Sequence, residues 1–170
     1  MASSFPGAIT QAGVLIPALE SKKTQHHKVY KEHCHRIYSL AFWMSDHELV
    51  AEQLSEKTFL RAFASSDCPQ AEQIDQAFLA ELQDLVPLHG LDVDVPAPVG
   101  ARLCGNVKRV HLERAVVQLP AAEKLIFLLH DVEGYEHARI SRLLAISEDE
   151  SRLGLHQARL RIHELLAKTS

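Results

Sequence analysis

Apolar positions recur along most of this chain at three- and four-residue spacing, the period of a helix with one buried face. In residues 29–44, Val29, Tyr30, Ile37, Tyr38, Leu40, Ala41 and Met44 keep that spacing. Ser45-Asp46 stops it and is suited to cap the next helix. The stripe resumes through Leu49, Val50, Leu54, Phe59, Leu60 and Phe63, which predicts two antiparallel helices joined by a short turn. Ser65-Ser66-Asp67-Cys68-Pro69 breaks the pattern, and residues 70–85 supply a third amphipathic helix with Ile74, Phe78, Leu82 and Leu85 facing a core.

The second half is patterned more sharply. Residues 101–118 predict a helix that ends near Pro120, and Pro120 suits the first turn of the next. That helix runs through Leu125, Ile126, Leu128 and Leu129 to Gly134, a good C-terminal stop. Residues 137–144 form a short helix and Ala145-Ile146 a tight turn. Ser147, with Glu150 three residues on, is a capping box that opens the last helix. Leu155, Ala158, Ile162, Leu165 and Leu166 make its buried stripe. A short helix, a tight turn and a longer capped helix form a helix-turn-helix.

Between the halves, residues 86–100 hold three prolines, two glycines and the acidic Asp92 and Asp94, a linker by composition. Residues 1–27 are small and polar around Pro6, Gly7, Gly13 and Pro17 and read as a flexible segment. The fold class expected is all-α, with two small helical domains over 28–85 and 101–170.

Composition agrees: aromatics are 6% against 46% hydrophobic residues overall, so aliphatic side chains carry the core, as in packed helices. Cys34, Cys68 and Cys104 stand too far apart for a CxxC pair, and their odd number fits a reducing cytoplasm. No signal peptide or membrane-length apolar run is visible, so the protein is expected to be cytoplasmic and away from membranes. No nucleophile elbow, phosphate loop or HExxH is present, so no catalytic residue is assigned and the chain is read as a non-enzyme. His26, His27, His33, Cys34 and His35 invite a metal, and His27, Lys31 and Cys34 share a helical face. No second ligand pair comes after them at metal-binding spacing, so neither metal nor cofactor is expected.

Charge changes the picture more. The net charge of −4 is uneven: residues 64–100 carry seven acids and no Lys or Arg, whereas residues 101–170 carry eleven basic and nine acidic side chains. Arg152, His156, Arg159 and His163 share one face of the last helix, beside Ser151, and form the candidate DNA contacts.

Leu119-Pro120 to Asp131-Val132-Glu133-Gly134, then Ile140 to Leu144, Ile146-Ser147 and Leu155-His156-Gln157-Ala158-Arg159, resemble the fourth region of extracytoplasmic-function (ECF) sigma factors. Tyr30 to His33, Ile37 to Ala41 and Ala51 to Phe63 resemble the first half of that family's second region. The resemblance implies a transcription initiation protein whose partners are the RNA polymerase core and promoter DNA, with an anti-sigma factor as a further partner. It implies polymerase contact through Glu52, Gln53, Glu56 and Lys57, exposed on the second helix.

Two departures from the family pattern bear on chemistry. The family follows its equivalent of Phe63 with a basic, aromatic helix that captures melted DNA, but residues 67–90 contain no Lys, Arg, Trp or Tyr. Phosphates need cations and unstacked bases need aromatic platforms, so the melting function is expected to be lost or altered. The last helix opens on Glu148-Asp149-Glu150, which suits its dipole but repels phosphates, and the basic residues expected near Gly154 and Gln157 are missing. Two alternatives therefore stay open: a degenerate sigma-like protein that occupies polymerase or an anti-sigma factor without promoter recognition, and a stand-alone helix-turn-helix regulator.

Overall fold

The computed structural model describes residues 12–86 and 109–168, all helix and connecting turn. Three helices form the N-terminal half: α1 (Ala12–Ser45), α2 (Glu48–Ser65) and α3 (Ala71–Leu85). α2 packs against both α1 and α3. Ala41, Ala51 and Ala62 are fully buried and let the backbones approach closely around Ile37, Leu54, Ile74 and Phe78. Burying each large aliphatic side chain there contributes about 1.5–3 kcal/mol.

α1 begins far upstream of the stripe that signals it. Its backbone is helical from Ala12, so residues 12–27, read as flexible, continue the helix; residues 1–11 lie outside the described residues. Tertiary contacts account for part of that extension: Lys22 pairs with Asp67 at 2.9 Å, and the His26 ring stacks on Phe63 at 4.3 Å. Ser45 and Asp46 end α1 as expected, Asp46 with a left-handed φ of 51°, but the cap of α2 falls on His47. Leu85, assigned to the core, is 49% exposed at the end of α3.

In the C-terminal half, α4 (Arg109–Val117) precedes α5 (Ala121–Phe127), which runs on into a wider π turn over Leu128–Val132. α6 (His137–Leu144) and α7 (Glu148–Ala167) come next, and α7 packs on α4, α5 and α6. Leu125, Ile126, Ile140, Ala158 and Ile162 fill this core at 0 or 1% exposure. The π turn shifts the register just before Gly134, whose φ of 73° closes the helix at the residue expected to do so. The linker over 86–100 and the helix expected over 101–108 lie outside the described residues, apart from Val86.

The turn between α6 and α7 passes through Ala145 at φ 54°, a conformation that strains any residue with a Cβ. Replacing it with glycine relieves that strain while loosening the unfolded chain. Ala145→Gly is expected to stabilise the fold by about 0.5–1 kcal/mol, measured by urea denaturation; destabilisation would contradict the assignment.

Candidate nucleic-acid interface

Local chemistry fixes the α6–turn–α7 unit. Ile146 N–H donates to Ser141 O at 3.1 Å across the turn. Ser147 Oγ accepts from Glu150 N–H at 3.1 Å, and Ser147 N–H donates back to Glu150 Oε2 at 2.7 Å, completing the predicted box. The Ser147 N–H, and the Ser147 hydroxyl that donates to the same oxygen at 2.8 Å, hold the Glu150 carboxyl below its usual range, so the box strengthens as pH rises through the carboxylate range and weakens in acid. At the other end of α6, His137 Nδ1 lies 2.9 Å from Ser151 Oγ, and its ring stacks on His130 at 4.6 Å. Burial, then the nearby charges of His130 and Arg152, lower the His137 pKa and favour the neutral ring.

The helix phase sorts the predicted contacts. Arg152, His156, Arg159 and His163 all lie exposed on α7. Ser151 points the other way, fully buried against His137. Gly154 and Gln157 are buried as well, so those two positions face the domain interior, and the absence of basic residues there takes nothing from the exposed face.

Both arginines on that face are already occupied. Arg152 donates to Glu148 at 2.8 Å and to Asp149 at 3.0 Å. Arg159 grips Asp131 with two hydrogen bonds, at 2.6 and 3.0 Å. Burial alone would raise the Asp131 pKa, but hydrogen bonds from Arg159 and His130 outweigh it and hold the carboxyl below its ordinary value. A phosphate must compete with these carboxylates for the guanidinium groups. Asp131→Asn leaves a hydrogen-bonding amide and frees the charge of Arg159. It is expected to tighten duplex binding by roughly tenfold in a gel-retardation titration; unchanged or weaker retention would remove Arg159 from the interface.

On the N-terminal half, Glu52, Gln53, Glu56 and Lys57 are exposed on α2. Glu52 and Glu56 border a groove of about 550 Å³ between α1 and α2, floored by Tyr30, Tyr38, Phe59 and Phe63. Leu60, also on its rim, stands 63% exposed, and Leu49, at the start of α2, 62% exposed.

The residue that pattern reasoning missed is Asp75. It is 3% exposed and accepts hydrogen bonds from Arg36 (2.5 Å), Tyr135 (2.8 Å) and Arg139 (2.7 Å). Arg36 also donates to Tyr135 Oη at 2.7 Å, and the Arg139 guanidinium lies 3.7 Å above the Tyr135 ring. Burial, with the carboxylate of Asp75 beside it, pushes the Tyr135 hydroxyl up to about 12. A signal was available, because Asp75 stands at helical spacing from Phe78, Leu79 and Leu82, on the stripe that has to be buried.

Residues 109–162 match the family described as Sigma-70, region 4, from the start of α4 through most of α7. Over 159 aligned residues the chain is 25% identical to the ECF RNA polymerase sigma factor SigE of Mycolicibacterium smegmatis. That alignment takes in 84% of this chain and 62% of the relative's length.

Proposed function

We propose that this chain is a sigma factor of the ECF type, with residues 109–162 as its sigma-70 region 4, and that it works as a transcription initiation protein on RNA polymerase core and promoter DNA. The observation that carries the reading is the exposed row of Arg152, His156 and Arg159 inside the matched region, continued by His163 just beyond it, on a capped helix. Ser151 serves that row from inside by fixing His137 at the start of α6. The polymerase contact is assigned to Glu52, Gln53, Glu56 and Lys57, whose exposure beside an apolar groove supports a protein partner. The role is one of binding rather than catalysis, and it belongs in the cytoplasm, where polymerase works. Among the described residues no helix is long and apolar enough to cross a membrane.

The test mixes the purified chain with core RNA polymerase and reads co-elution and promoter-dependent transcription together. Transcripts from a defined start establish the proposed role. Co-elution without transcripts would replace it with a protein that occupies polymerase without reading promoters. Duplex retention without co-elution would replace it with a stand-alone regulator.

A further inference from the structure

The Asp75 cluster joins parts of the chain that lie far apart in sequence. Asp75 and Arg36 belong to α3 and α1, whereas Tyr135 and Arg139 come from the start of the helix-turn-helix, sixty or more residues later. α3 meets α6, and α1 meets α5, along the same seam. A second charged pair lies there: Asp46, in the turn after α1, favours the charged form of Lys124 on α5, against the stronger effect of burial, which lowers that lysine's pKa.

The apolar part of the seam is thin. Trp43 is half-buried, and it lines two cavities, of about 590 and 280 Å³, that separate α1 from α4 and α5. Seams between domains that are polar and loosely packed open more readily than hydrophobic ones. A buried charge knot adds little net stability over an apolar contact, but it demands one geometry, and removing one member leaves the others uncompensated.

We propose that Asp75 is the bolt of a releasable latch that closes the N-terminal half onto the helix-turn-helix half. Arg36 presents the carboxylate from its own side, and Tyr135 and Arg139 receive it. In the closed form Trp43 lies against the groove bounded by Leu112, Val116, Phe127 and Leu128 and screens it from partners. Opening uncovers that groove, and the bonds it breaks are the polar ones from Tyr135 and Arg139 to the Asp75 carboxylate. The latch stands on geometry alone and does not depend on the transcriptional role.

The protein carries its own reporter, because Trp43 is the single tryptophan. In the full-length chain, Asp75→Asn is expected to shift Trp43 emission to the red and raise its quenching by acrylamide roughly twofold or more, with helix content by circular dichroism unchanged. Glu81→Gln, which breaks the Arg61–Glu81 pair within the N-terminal half, is expected to leave Trp43 as shielded as in the parent. Unchanged quenching in a helical Asp75→Asn variant would overturn the latch. Should Asp75→Asn lose helix content, the Tyr135→Phe/Arg139→Gln pair reads the same seam from the other side: released Trp43 supports the latch, and shielded Trp43 overturns it.

Discussion

Reversing both arginines of the exposed row, Arg152→Glu with Arg159→Glu, is expected to abolish duplex retention, a loss on the order of a hundredfold or more in affinity. Each substitution removes a cation from the face of α7 and adds an anion beside acids already there, Glu148 and Asp149 for one and Asp131 for the other. Neither side chain contributes to the core, since both lie exposed, so the helix-turn-helix should remain folded. Circular dichroism and co-elution with polymerase are the controls, and both should match the parent. Retention within a few-fold of the parent would mean that α7 does not meet DNA. The opposite response of Asp131→Asn, tighter binding from the loss of one acid, would then identify the face by sign as well as by size.

Phe78→Ala is expected to cost about 3–5 kcal/mol, because it empties the centre of the three-helix half. The ring is 2% exposed, and its neighbours along α3, Ile74 and Leu82, are buried as completely. Set against a whole-domain stability of about 5–15 kcal/mol, that loss removes a large share of the margin that keeps α1–α3 folded. Urea denaturation followed by circular dichroism measures it. Phe42→Ala, at a ring 39% exposed, is the comparison and is expected to fall within about 0.5 kcal/mol of the parent. Equal effects at the two positions would show that Phe78 is not the anchor of this core.

What could be read without the structure was what is local. The capping box at Ser147, the turn at Ala145 and the stripe through Leu155, Ala158 and Ile162 each depend on residues a few positions apart, and each lies where its pattern puts it. Arg152 with Glu148 is likewise a one-turn pair. The Arg159–Asp131 grip bridges two helices and depends on the π turn that sets the register before Gly134, a feature with no signature in the pattern of apolar residues. The Asp75 cluster is further from reach, since its members come from three separate stretches of chain. Ser151 and Gly154 are a different matter. Their spacing from Leu155 and Ala158 puts both on the inner face, so the phase of α7 was legible and the resemblance to the family drew attention to the wrong side of it.

The paired arginines also set how the proposed binding face should respond to ionic strength. A free guanidinium that meets a phosphate releases a condensed counterion from the duplex, and affinity falls with added salt in proportion to such contacts. In the proposed interface, Arg152 and Arg159 would leave Glu148, Asp149 and Asp131 behind on turning to DNA, and those carboxylates would then gather cations from solution. Ions taken up on one side offset ions released on the other. The slope of log affinity against log salt should therefore be shallower than the number of phosphates touched, and Asp131→Asn should steepen it.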